Sequence, residues 1–230
     1  MDFSLEASHD HCNDHALLSS VAEILDNVQM EPSLTDLTIE IVGFRSDACA
    51  AFGYKLSGMT FRILHSFTSR SLSHDDISRF AIRQPNLEYL TIGGSECEGV
   101  CPLQLLEHCG RIVSLTGHGV ASCVSSIVPG NPVTDVWILD ASRTYGEDCQ
   151  FMNVLLKLRE SSASITHLTL SFPAAQLDIL SLILIAAPQV EMLDLRESDS
   201  VGRKVPGSQA VERLQEMGIS TPNAAEAPIS

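Results

Sequence analysis

Apolar residues along the chain fall repeatedly into one short figure, apolar-x-x-apolar-x-apolar. It occurs at Leu34, Leu37 and Ile39, at Leu56, Met59 and Phe61, and at Leu87, Leu90 and Ile92. It recurs at Ile112 and Leu115, at Val133, Val136 and Ile138, at Ile165, Leu168 and Leu170, and at Val190, Leu193 and Leu195. The central positions 37, 59, 90, 115, 136, 168 and 193 cover 156 residues in six steps, 26 on average. A period in this range signals a repeat architecture. Alternation within each hexad predicts a short strand with one buried side, and a strand that short cannot bury its side alone. Laid beside the next repeat's strand it forms a parallel sheet with a shared interior. The segments between carry helical spacing. A helix is expected over Asp75–Gln84, entered through Ser73 or Asp75 and stopped by Pro85. Others are expected over Leu103–His108 after Pro102, over Phe151–Arg159, and over Leu177–Ala187 before Pro188. The pattern as a whole predicts an α/β solenoid.

Three segments follow. Residues 1–31 read as an acidic leader with an amphipathic capping helix over 15–30, residues 32–198 as the repeats, and 199–230 as a C-terminal cap and disordered tail. In the last segment Ser208 opens a short helix, Gln209–Met217, whose Val211, Leu214 and Met217 would close the open end. The formal net charge is −15, and no Lys or Arg precedes Arg45. Such a balance argues against nucleic acid, which needs clustered cations, and against a secretory or transit leader. The longest apolar run, Ile179 to Ala187, falls far short of the ~20 residues of a membrane span. Seven cysteines at irregular spacing, with no Asn-x-Ser/Thr acceptor, fit reduced thiols and a cytoplasmic or nuclear address rather than a disulfide scaffold.

The hexads, their mean spacing and the re-entry from helix through Pro-x-Leu-x-x-Leu resemble leucine-rich repeats, most of all the irregular repeats of F-box proteins. The stretch Leu103-x-x-Leu106-x-x-Cys109-x-x-Ile112-x-x-Leu115 is similar to that group's cysteine-containing subtype. Gln84, Ser162 and Ala187 stand at the equivalent of Cys109 elsewhere, and the family's Asn or Cys after the strand is missing from most repeats. The resemblance covers about residues 32–198. It implies a curved parallel sheet on the concave side, helices on the convex side, and a role as substrate-recognition part of an F-box-type ubiquitin ligase receptor or a fragment of one. No F-box is legible here, so a ligase adaptor is an expected partner only if that module lies outside this chain.

Candidate chemistry is sparse. The glycines of "TIGGSECEGVC", residues 91–101, invite comparison with a phosphate loop, but Glu96 and Glu98 stand where a cation is needed. "HDHCNDH", residues 9–15, offers His9, His11, Cys12 and His15 as metal ligands. It lies within a single short element, whereas structural zinc draws on separated ones, and is expected to be disordered. Cys97, Cys101, Cys109, His108 and His118 form a second candidate cluster, expected to be core and turn residues. A metal- or thiol-dependent enzyme built on Cys97, Cys101 and Cys109, or on the leader's histidines, is the alternative reading. No catalytic motif supports it, and no cofactor or metal is expected.

Outward positions of the strands carry more. The residue between the last two apolar positions of each hexad reads Thr38, Thr60, Thr91, Thr116, Trp137, Thr169 and Asp194. Threonine suits an exposed pleat. A lone tryptophan on open surface costs solubility unless something uses it. Flanking columns supply Asp36, Tyr89, Ser114, Asp135, His167 and Met192 on one side, and Glu40, Arg62, His118, Ser171 and Arg196 on the other. The expected site is protein-binding, with Trp137 and Tyr89 as anchors and Arg62, His118, His167 and Arg196 around them. The expected function is thus a non-enzymatic interaction module that binds another protein through its concave sheet.

Overall fold

A computed structural model of the chain describes residues 2–8, 14–29, 33–95, 97, 99–139, 148–172 and 179–197. The chain divides into two compact units, Met1–Ser198 and Asp199–Ser230, and all described residues belong to the first. The leader run 9–13 and the expected cap over 199–230 lie outside the described residues.

Eight strands form one parallel sheet in strict chain order. They are β1 (Asp2–Ser8), β2 (Asp36–Val42), β3 (Ser66–Ser69), β4 (Tyr89–Gly93), β5 (Ser114–His118), β6 (Asp135–Leu139), β7 (His167–Phe172) and β8 (Met192–Glu197). Between them run α1 (Asp14–Val28), α2 (Ser46–Ser57), α3 (His74–Arg83), a 3₁₀ turn (Pro102–Leu106), α4 (Ala121–Ser125), α5 (Asp148–Leu158) and α6 (Ile179–Ala186). Each helical element touches the next, so they form a row against one face of the sheet.

Alternation within the strands makes the arrangement one-sided. A parallel sheet covered on both faces has continuous apolar strands. Here Leu37, Ile39, Phe67, Leu90, Ile92, Leu115, Val136, Ile138, Leu168 and Leu170 are buried, while Thr38, Thr68, Thr91, Thr116 and Trp137 between them are partly exposed. The buried set joins the helices' inner residues, among them Leu25, Phe52, Phe80, Val124 and Leu155, in one continuous core.

A regular backbone device fixes the stacking. The carbonyl just before each of β2 to β7 accepts two amides from the next repeat. Thr35 O takes those of His65 and Ser66, and His65 O takes those of Glu88 and Tyr89. The series continues through Glu88, Val113, Thr134 and Thr166 to the amides of Glu191 and Met192. Buried backbone groups need partners, and this ladder supplies them while locking the register.

Three expectations are corrected. The hexad at Leu56, Met59 and Phe61 is not a strand: Leu56 lies in the last turn of α2, Met59 and Phe61 are core residues of the following loop, and β3 lies at Ser66–Ser69. The rung is Leu64, Phe67 and Ser69, with Thr68 rather than Thr60 in the threonine column. The early part of the chain is more than a leader with a capping helix, because β1 pairs along β2 with Phe3 opposite Leu37. The expected helix over Leu103–His108 is a single 3₁₀ turn, and α4 has no counterpart among the expected helices.

Candidate interaction face

Strand register brings the outward residues into columns. One reads Thr38, Thr68, Thr91, Thr116, Trp137, Thr169, Asp194, each opposite the next. A second runs Asp36, Ser66, Tyr89, Ser114, Asp135, His167, Met192. A third includes Gly93, His118 and Leu139, and further along Ser171 and Arg196.

Trp137 sits partly exposed in the middle of β6, between Thr116 and Thr169. Tyr89 is 48% exposed on β4. Two strand spacings and two residues of rise separate the aromatic positions by about 12 Å, within reach of one partner. Polar groups around them are tied to one another. His167 Nδ1 lies 2.8 Å from Asp135 Oδ1 on the neighbouring strand, an ion pair when the imidazole is protonated. Thr166 Oγ1 stands 3.1 Å from the same nitrogen. Arg196 Nε donates to Asp194 Oδ2 at 2.8 Å. His118 is half-buried at the end of β5. Thus Trp137, Tyr89, His118, His167 and Arg196 share this face. Arg62 does not: it lies in the turn before β3, where its carbonyl accepts from Asn86. Arg70, just past β3, is the arginine at the sheet, pairing with Glu40 at 3.3 Å. The misplaced hexad explains the error.

Glycines of "TIGG" have packing reasons rather than phosphate-binding ones. A Cβ on Gly93 would stand 3.0 Å from Arg70 Cγ, so its absence admits the arginine stem. Gly94 has φ +121°, a conformation glycine alone adopts readily.

The second cysteine cluster is rearranged. Cys97 and Cys101 do meet, but their neighbours are His74 and Cys123, not Cys109 or His108. His108 lies beside Glu107, with Nε2 3.1 Å from Oε1. Cys109 stands apart, and burial pushes its thiol up despite the opposing pull of Arg111. Burial, followed by the charges of Asp14 and Asp47, does the same to Cys49. Thiols with raised values hold little thiolate at neutral pH and are poor nucleophiles. The sequence signal for the observed grouping is the period itself: His74 lies 23 residues before Cys97, and Cys123 lies 22 after Cys101. Residues about one repeat apart are neighbours in a stack.

No helix among the described residues is long and apolar enough to cross a membrane. Compared with models of known families, with curated proteins and with solved structures, the chain matches none.

Proposed function

We propose that this protein is a non-enzymatic interaction module, a leucine-rich-repeat-like solenoid that captures another protein on the open face of its sheet. The observation carrying this reading is Trp137, the chain's only tryptophan, partly exposed at mid-strand on the face opposite the helices. Tryptophan and tyrosine bury large rigid surfaces at low entropic cost and dominate binding energetics at protein interfaces. Around them His118, His167 and Arg196 supply donors, and Asp135 and Asp194 supply acceptors, which gives the face polarity. Substrate recognition for an F-box-type ubiquitin ligase is the class of role this reading extends to. It rests on the repeat spacing and on the resemblance of residues 32–198.

Affinity capture from a cell extract by the parent chain identifies the partner, which is then measured in purified form against the variants Trp137→Ala and Tyr89→Ala. Each variant is expected to lose about 2 kcal/mol or more of binding, the hot-spot range. Their unfolding midpoints should stay within about 4 °C of the parent's, as expected for partly exposed positions in a domain of this size. Undiminished binding by both variants overturns the proposal.

A further inference from the structure

On the helix side of the sheet, three consecutive repeats each send a metal-ligating side chain to one point. His74 opens α3, just after β3. Cys97 and Cys101 lie in the loop after β4, Cys101 immediately before the 3₁₀ turn. Cys123 lies in α4, after β5. Nδ1 of His74 is 3.0 Å from Sγ of Cys97 and 3.6 Å from Sγ of Cys101, and the two sulfurs are 3.5 Å apart. With Sγ of Cys123 included, all four ligand atoms lie within 4.8 Å of one another. His74 and Cys101 are buried and Cys123 is only 1% exposed, while Cys97 is half-buried.

We propose that His74, Cys97, Cys101 and Cys123 form a structural zinc site. Zinc–sulfur bonds of ~2.3 Å and zinc–nitrogen bonds of ~2.0 Å in a tetrahedron put ligand atoms about 3.5–3.8 Å apart. The observed separations bracket that range, so binding requires adjustments of about 1 Å at most. The donor set is one of the known structural combinations, three cysteines and a histidine, and the Cys-x-x-x-Cys spacing lies within the usual range. Three soft sulfurs favour zinc over calcium or magnesium, which take oxygen. On binding, each of the three thiols surrenders its proton to solvent and the neutral imidazole donates through Nδ1. The product is a four-coordinate zinc of net charge −1, with no redox change. Four protein ligands close the coordination shell, which assigns the ion a stapling role rather than a catalytic one.

The place suits a staple. Where the other connections carry α-helices, the one after β4 has, among its described residues, only a 3₁₀ turn, preceded by Gly94 and Gly99 at positive φ. A 3₁₀ turn is a weak element. An ion held by α3, this loop and α4 ties it to its neighbours on both sides.

The test is elemental analysis of the full chain expressed in zinc-supplemented medium and purified with a reductant and no chelator. Roughly one zinc per chain is expected, both in the parent and in a variant lacking His9, His11 and His15. The Cys97→Ser/Cys101→Ser variant should lose it by ~10-fold or more, since even outer contacts of a metal cost that much. Cys97→Ser alone, at a half-buried position, guards against misfolding of the double variant. Cobalt titration of metal-free parent should produce a thiolate-to-cobalt charge-transfer band and the red absorption of tetrahedral cobalt, both absent from the variants. Parent protein without zinc and without that band overturns the site. So does zinc that survives Cys97→Ser/Cys101→Ser and disappears with the leader histidines. If Cys97 and Cys101 are instead found joined as a disulfide in protein purified without reductant, and reduced parent takes up no cobalt, the zinc site is refuted. None of these outcomes touches the sheet face, so this proposal and the interaction reading fail separately.

Discussion

Asn131 and Gln84, both fully buried, do the same work at two junctions between repeats. Asn131 Nδ2 donates to Leu106 O at 2.8 Å and to Ile127 O at 2.7 Å, and Oδ1 accepts from the amides of Arg111 and Ile112 at 3.3 Å. Gln84 Nε2 donates to Met59 O and Phe80 O, and its Oε1 accepts the amide of Phe61 at 2.8 Å. In each case one side chain joins the end of a helix to the loop of the preceding repeat and leaves no amide group unsatisfied. A buried backbone group stripped of its partner costs about 1–3 kcal/mol. Asn131→Leu, which keeps the size and removes four hydrogen bonds, is therefore expected to destabilise the fold by about 3–5 kcal/mol, the upper range for a single substitution. Urea unfolding measures it. A loss below about 1 kcal/mol would mean that water replaces the side chain and that the junction is held by packing alone.

At the scale of elements, β5 and α4 form the tightest repeat, with 21 residues between the centres Leu115 and Val136. So short a connection leaves room for a helix of five residues lying close to the sheet. Gly117 makes that possible. It occupies the inward position held by Ile92 and Ile138 in the flanking strands, and a Cβ there would collide with Val124 Cγ2. Gly117→Ala should cost about 1–3 kcal/mol as overpacking. Adding Val124→Ala should recover part of that loss, so the double variant is more stable than the two single losses predict. Strict additivity in thermal unfolding would show that the two sites do not press on each other. The same scale explains what could be read in advance. Strands β2, β4, β5, β6, β7 and β8 were legible because a one-sided sheet writes its alternation into sequence. The helix α3 was legible through its cap, where Ser73 Oγ accepts the amide of Asp76 at 3.1 Å. The strand β3 was not, because its third inward residue is Ser69, fully buried and accepting from the Leu72 amide, while Leu56, Met59 and Phe61 imitate the hexad from a helix end and a loop. That one slip of register moved Arg62 onto a face it does not share. Of the histidine–cysteine cluster, only the local pair Cys97 and Cys101 was legible, since His74 and Cys123 join it through stacking of whole repeats.

At the scale of the whole sheet, every strand among the described residues pairs only with its immediate predecessor and successor in sequence. Stability under the solenoid reading is then a chain of nearest-neighbour terms, and opening starts where neighbours are fewest. The core records such a gradient. Inward residues of β4, β5 and β6 are at most 1% exposed, apart from the glycine of β5, whereas Leu193 on β8, in register with the buried Leu168, is 38% exposed. Hydrogen exchange on the native protein should therefore find the amides of β4 to β6 protected most and those of β8 least. The proposed zinc would add to the repeats of β3, β4 and β5 alone, so a chelator should lower protection there and leave β8 unchanged. Uniform exchange across all eight strands would show that the sheet opens as one cooperative unit, in which case the repeats do not behave as separable links. A gradient with its minimum in the centre would instead place the weak link at the 3₁₀ turn and leave the stapling role without support.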